Sequence, residues 1–600
     1  MDLNRREILF AGVAAAAPLP ALAADSEDSR LTDLFDTFFA EDLQQNPERA
    51  TLLGFDKGAN APLKSKLTDE SLAAVAERKT RNADQLARLT RIDRAALSEV
   101  RKVDYDTVAY TLRSQGRLME FDFGGSGSPY VISQNTGAYQ DVPDFLGTKH
   151  RIDTDADADA YLSRLSAYAT QLDQESERFR HDTGLGVVPP DFILDTVLVQ
   201  LDAQKKPAED ASLVKSIRRR ATEKGLAPRY GDEAARIWAA KVMPALDRQR
   251  SLVEAAKVHA VHAAGIGARP QGHAWYAAAL HAATTTNLTP DQVHKLGLDQ
   301  AVEIEARLDG LLKAQGLTKG TVGERIAALY KDPASFFPDT EAGKAAAIAF
   351  CNGRLAAIRP HLPDYFKRLP PYAFEVRRVP SEIEAGAASA YSQGPALDGS
   401  RPGIVYINLR DTAEWPRWSL SSVIFHEGLP GHQLEGGLAL SNKSLPLIRK
   451  TIGFSGYAEG WALYAEQLAD EMGMYDQDPL SRIGYLKFQL FRAGRCVADT
   501  GLNHLGWSRE KAVAYFEALD ADAPGFATRE VDRYCTTPGQ ACSYKIGHTV
   551  WVKARGRAKA ALGPRFDIKD FHAAGLDCGR VPLDILDGVI DRWIASQKQV

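Results

Sequence analysis

The sequence predicts a mainly α-helical fold with one short β-region, placed just before its most chemically loaded segment. Three observations support this. Apolar residues recur at three- and four-residue spacing along most of the chain. β-Branched and aromatic residues concentrate in two runs, residues 372–379 and 403–409. The 600 residues, 44% of them hydrophobic, are more than one core usually serves, so at least two subdomains are expected.

At the N-terminus, Arg5 and Arg6 precede an apolar run over residues 8–22, and Ala21-Leu22-Ala23 supplies a small-x-small cleavage pattern. Residues 1–23 resemble a twin-arginine export signal, which implies the twin-arginine translocation machinery as a partner and a periplasmic or secreted protein. The apolar run falls short of the roughly 20 residues that span a bilayer, so no stable membrane anchor is expected. Residues 24–270 read as an N-terminal helical subdomain. Leu31, Leu34, Phe35, Phe38 and Phe39 mark one helix face, and Ala158, Tyr161, Leu162, Leu165, Tyr168, Ala169 and Leu172 another. Pro189-Pro190 breaks the pattern, residues 204–210 form a polar loop, and helix resumes over residues 232–264.

Residues 271–600 read as the second subdomain. Thr289 caps a helix with Pro290 at its first position. The two strand-like runs follow, separated by a Gly/Ser/Ala-rich span that ends in Asp398-Gly399-Ser400-Arg401-Pro402-Gly403. Residues 418–425 then form a helix running into His426, and helices dominate to the C-terminus. The net charge of -5 argues against nucleic acid as a partner. Five cysteines show no CxxC pattern; Cys535 and Cys542 are close enough to bridge, or stay as reduced thiols.

The loaded segment is His426-Glu427-Gly428-Leu429-Pro430-Gly431-His432. It begins like a zinc-hydrolase helix, in which two histidines hold the metal and the adjacent glutamate activates water. Histidines four apart on a helix lie about 40° from one another, whereas six apart they lie about 240° around and about 9 Å along. A regular helix would spoil the site. Pro430-Gly431 makes regularity implausible and predicts a bulge or widened turn that returns His432 to the metal. Glu459, at the start of a second helix, is the expected third ligand, and Glu427 the general base. Glu466 lies two turns beyond Glu459; it could stand behind a ligand histidine, but a solvent-facing position is the first reading.

At these residues the chain resembles the bacterial "domain of unknown function 885" family. The resemblance is carried by the block ending at Gly403, by His426-Glu427 with Pro430-Gly431-His432, and by Glu459-Gly460-Trp461-Ala462 with Tyr464. Further blocks are Asp499-Thr500-Gly501 with Gly506-Trp507, Arg533-Tyr534, Pro538-Gly539-Gln540-Ala541 with Tyr544-Lys545-Ile546-Gly547, Phe571-His572 and Val581-Pro582-Leu583. The family is similar to zinc peptidases of the thimet oligopeptidase and angiotensin-converting enzyme type. That similarity implies a large helical zincin-like fold, with a small β-sheet beside the active-site helix and a deep cleft between two halves. It implies His426, His432 and Glu459 as zinc ligands, Glu427 as base, and strand 403–409, including Tyr406, as the edge on which an extended substrate pairs. Tyr544 becomes the candidate oxyanion donor, and Arg533, His504 and His548 further substrate contacts. Two positions depart from the family pattern: Gln433 and Asn503 stand where histidines are common.

The function expected is an exported zinc-dependent peptidase acting on short peptides. The alternatives are a peptide-binding protein that has lost turnover, or a metal-dependent hydrolase of a non-peptide amide or ester. An iron site for oxygen chemistry would leave Glu427 without a task.

Overall fold

Local sequence signals set most helix boundaries in the computed structural model, which describes residues 26–598 apart from 126, 381–383, 385–388, 396–400 and 520–524. The export-signal reading and Asp398-Gly399-Ser400 therefore lie outside the described residues. Helix α1 (Glu27–Gln45) is capped by the Ser26 side chain and buries Leu31, Phe35, Phe38 and Phe39, the face legible in the sequence. Helix α2 (Asp155–Gly184) starts at a reciprocal capping box between Thr154 and Asp157 and buries all seven residues of its expected stripe. Pro190 immediately precedes the next helix, Asp191–Gln204. The helical run expected over residues 232–264 is interrupted by a wide turn at Trp238–Val242, after which helix α3 covers Met243–Lys257. Helix α4 (Pro290–Ala314) has the expected Thr289 cap, completed by Gln292 as a capping box.

Strands β1 (Phe374–Arg378), β2 (Ala390–Gln393) and β3 (Gly403–Ile407) form one sheet in the order β1-β3-β2. β1 runs parallel and β2 antiparallel to β3. This corrects the expectation for strand 403–409: it is central, its backbone groups already paired on both sides. β1 and β2 each have one strand partner among the described residues and form the two edges of the sheet, and β2 is the edge that borders the cavities. Sequence reasoning missed β2 because Ala390-Tyr391-Ser392-Gln393 carries no β-branched residue. Cross-strand contact makes it a strand instead, with Tyr391 stacked on Tyr406 at 5.0 Å between ring centroids.

The C-terminal half holds helices α5 (Arg417–Glu427), α6 (His432–Ser441), α7 (Ser455–Glu471), α8 (Pro479–Asn503), α9 (Phe526–Thr536) and α10 (Ser543–Leu562). Helix α8 is the spine of the molecule. Its Leu486, Leu490, Ala493 and Cys496 belong to the core beneath the sheet, while Phe491, Ala498 and Leu502 belong to the core built around α2 and α3. Apolar packing thus runs unbroken across residue 270. A smaller core joins α1 to the helix Glu99–Leu118.

Helices α7 and α10 cross at unusually close range. A Cβ on Gly460 would lie 2.4 Å from the Gly547 backbone, and one on Gly547 would lie 1.9 Å from the Gly456 carbonyl oxygen. The glycines of two sequence blocks are therefore a helix-crossing device, which sets Tyr544, one turn before Gly547, against the site. All five cysteines are free thiols. Among the described residues no helix is long and apolar enough to cross a membrane.

Candidate metal centre

The two histidines are brought together by breaking the helix, not by widening it. Helix α5 ends at Glu427, Gly428 to Gly431 turn the chain through a cis Leu429-Pro430 bond, and His432 opens α6. The expected bulge is thus replaced by a corner between two helices. The corner is tight: a Cβ on Gly431 would sit 1.8 Å from the His426 carbonyl oxygen, so only glycine fits. Trp461, fully buried on α7, donates its indole N–H to the Pro430 carbonyl at 3.0 Å and fixes the corner against the helix that carries Glu459.

The result is convergence. His426 Nε2 and His432 Nε2 stand 3.4 and 3.2 Å from the same oxygen of Glu459, Oε2. The rings are nearly perpendicular, 4.9 Å between centroids. Two donors each about 2.0–2.1 Å from a tetrahedral zinc ion stand about 3.3–3.4 Å apart, so the spacing fits a shared ion. Among the described residues these three form the cluster that could hold a metal. Two neutral imidazoles and a carboxylate are also the donor set of catalytic zinc sites, which leave one position open.

Behind His426 stands Glu466, 1% exposed, accepting from His426 Nδ1 at 2.8 Å while Ser422 Oγ donates to its other oxygen at 2.6 Å. This corrects the solvent-facing reading. The two-turn spacing from Glu459 put both carboxylates on one face of α7, and the corner of α5 covers that face. A carboxylate on Nδ1 turns the Nε2 lone pair of His426 toward the ligand point and raises its basicity. Burial works against a charge on His426, but Glu459 and Glu466 outweigh it and push its pKa up to about 9. Burial likewise opposes the Glu459 charge, yet the two histidines hold its carboxyl well below the usual range. The proton held between these groups occupies the place for which a cation competes.

Two cavities meet at this point, of about 280 and 580 Å³, each touching Ala390 of β2, Glu427, Glu459 and Tyr544. Their size suits small ligands. His426 lines the smaller and His432 the larger, so the ligand cluster sits at the junction. The Tyr544 ring lies parallel to His426 at 6.3 Å, and burial, reinforced by Glu459, raises its phenol pKa against the pull of nearby arginines. The hydroxyl therefore stays protonated and able to donate.

The four residues expected to contact substrate lie elsewhere. Tyr406 is stacked under Tyr391, and it is Tyr391 that lines the larger cavity. Arg533 is held by Gln540 at 2.7 Å and Glu530 at 3.2 Å. His504, at the end of α8, stands 3.2 Å from Asp291. His548 pairs with Gln467 of α7 at 3.0 Å. Strand pairing for Tyr406 and helix packing for the other three turn these side chains toward neighbouring elements and away from the cavity walls. Of the two departures from the family pattern, Gln433 lines the larger cavity and pins the edge strand, donating to Ser392 Oγ at 2.6 Å and the Gln393 carbonyl at 3.0 Å. Asn503 instead ties α8 to the Ile266 and Tyr534 backbones, away from both cavities.

Sequence reasoning also missed Arg492 and Arg495, which line the smaller cavity. The available signal was two arginines three apart amid Leu490, Phe491, Ala493 and Gly494, an otherwise apolar and small helix surface.

Comparison with known proteins shows the family and the fold. Residues 47–590 match the family described as "Bacterial protein of unknown function (DUF885)". A crystal structure of a candidate lipoprotein from Colwellia psychrerythraea superposes with a TM-score of 0.91 at 29% identity, covering 96% of this chain and 100% of that one. A candidate lipoprotein of unknown function from Shewanella oneidensis shares the fold, with a TM-score of 0.73 at 16% identity over 93% of this chain and 99% of that one. No curated protein matches the chain.

Proposed function

The chain belongs to that bacterial family of unknown function, and from this premise we propose that it is a zinc-dependent peptidase of zincin-like architecture that hydrolyses short peptides. The observation that carries the reading is the convergence of His426, His432 and Glu459 at the junction of two cavities, with Glu427 on the shared wall. A zinc ion held there would supply Lewis-acid polarisation of the substrate carbonyl and acidify water.

The rest is performed by the chain's own residues. An extended peptide adds to the outer edge of β2, its backbone groups pairing where Ala390–Gln393 has no second strand among the described residues. Glu427 takes a proton from the attacking water and delivers it to the leaving amine. Tyr544, kept protonated by its surroundings, donates to the developing oxyanion, a contribution of about 2.7–4 kcal/mol in comparable sites. Glu466 holds His426 in register. The two cavities together, about 280 and 580 Å³, hold the peptide on either side of the ligand cluster.

A binding protein without turnover would use β2 and the cavities but has no task for Glu427 beside the ligand cluster. An amide or ester other than a peptide would use the same atoms but leave the strand edge idle. We further read the chain as exported, on the strength of Arg5-Arg6 and of structural relatives described as candidate lipoproteins.

The test is zinc content together with cleavage of a short-peptide library. One zinc per chain and turnover lost by at least a hundredfold in the zinc-loaded Glu427→Gln variant are expected. Equal turnover by that variant, or a protein that takes up no zinc, overturns the reading.

A further inference from the structure

The smaller cavity has a basic end that the hydrolytic chemistry does not use. Arg492 and Arg495 lie one turn apart on α8 and both line it, on the side where β2 begins at Ala390. Arg495 is 6% exposed; it donates Nη2 to Glu530 at 2.7 Å, while its Nε and Nη1 are buried without a hydrogen-bond partner. Arg492 forms no ion pair with any described residue, and its Nε is buried and unpartnered. Its guanidinium lies over Phe491 at 5.0 Å, Phe488 at 5.1 Å and Tyr544 at 5.4 Å. Burial, and next the charge of Arg495, pull the Arg492 pKa down.

Charge accounting sharpens the anomaly. Glu530 is the acid paired to this end of the cavity, and Arg533 and the Tyr534 hydroxyl share it with Arg495. An unpartnered buried charged donor is costly, and a planar carboxylate matches the guanidinium fork. The strand edge supplies a direction. Ser389 and Ala390 line the smaller cavity, whereas Tyr391, Ser392, Gly394 and Pro395 line the larger, so β2 runs from the first toward the second. A peptide pairing antiparallel to β2 runs the opposite way and carries its C-terminal end into the smaller cavity.

We propose that Arg492 and Arg495 form a carboxylate-binding subsite that captures the free C-terminal carboxylate of an extended peptide, so that the site removes short pieces from peptide C-termini. This rests on the hydrolase reading for its chemistry but not for its binding.

The test uses zinc-loaded full-length protein and three peptides: one free of acidic side chains with a C-terminal carboxylate, its C-terminal amide, and an amide bearing a glutamate near its C-terminus. A 10- to 100-fold higher kcat/KM for the free acid than for either amide is expected, with Arg492→Gln bringing the ratio near one and Arg492→Lys keeping part of it. A merely structural loss would lower all three substrates together and leave the ratio intact, which would overturn the assignment. Equal rates for acid and plain amide in the parent protein overturn the subsite while leaving the peptidase standing. The glutamate-bearing amide matching the free acid overturns the C-terminal assignment in favour of a side-chain carboxylate. If no peptide is cleaved, calorimetric binding of the same three decides: at least tenfold tighter binding of the free acid, lost in Arg492→Gln, upholds the subsite, and equal or undetectable binding of all three overturns it.

Discussion

Two polar nodes are buried in this protein, one around His150 among the N-terminal helices and one around His426 beneath the sheet, and they are wired in opposite ways. At the first, the fully buried Arg164 donates to the Lys66 carbonyl and Thr51 Oγ1 at 2.8 Å, to the Leu63 and Pro47 carbonyls at 3.2 and 3.3 Å, and to His150 Nδ1 at 2.9 Å. His150 Nε2 in turn donates to the Asp157 carbonyl at 3.0 Å. The acceptors around the Arg164 guanidinium are all neutral and every group has a mate, and burial, helped by the Arg164 charge, keeps His150 uncharged, with a pKa lowered to about 4. At the second node, two histidines aim at one oxygen and carboxylates dominate, so His426 holds its proton up to about 9. One buried cation whose donors are all met by neutral acceptors ties chain segments together. The second node instead brings donor atoms together at metal-ligand spacing on the walls of two cavities.

That contrast can be broken or sharpened experimentally. The largest effect expected is linkage to zinc: at free zinc about 1,000 times its Kd, the parent protein should gain about 4 kcal/mol, and His432→Ala should lose that gain. Thermal melts with and without zinc measure it, and an equal zinc shift in both proteins would deny the centre its role. Next, Arg164→Ala should cost about 3 kcal/mol by leaving His150 and several carbonyls unpaired, with zinc affinity unchanged by titration.

The two histidines should also bend the pH–stability curve of the metal-free protein in opposite directions. His150 titrates lower in the folded state than its unfolded value of about 6.5. Its contribution is therefore complete above 6.5 and lost as the pH falls toward 4, on the order of 3 kcal/mol. His426 titrates higher, so its contribution is complete below 6.5 and lost as the pH rises through about 9. Urea midpoints across that range should show the acid limb flattened by His150→Gln and the alkaline limb by His426→Gln. The smallest effect is that of Glu466→Gln, expected to weaken zinc binding about 10- to 100-fold while the fold persists. Unchanged affinity would reduce Glu466 to a helix tie through Ser422.

Much of this was legible in the linear chain. The apolar stripes of α1 and α2 and the Thr289 cap follow from local periodicity and hydrogen-bonding chemistry, which neighbouring residues decide among themselves. The His426, His432 and Glu459 set was legible for a related reason: ligand chemistry restricts residue type, and Pro430-Gly431 announces that the helix cannot continue. Other features were settled across the fold. β2 became the edge beside the cavities because Tyr391 found Tyr406 and Gln433 found its backbone. Glu466 became a histidine partner because α5 covers its face of α7. Arg492 and Arg495 became cavity walls because α8 runs between two cores and presents that surface to the site. The sequence by itself thus determined which side chains carry metal-ligand and acid–base chemistry, since that is a property of residue type. Only the tertiary structure decided which strand edge is open and which charges are buried without partners, because both depend on what lies across the gap from a residue and not on what precedes it in the chain.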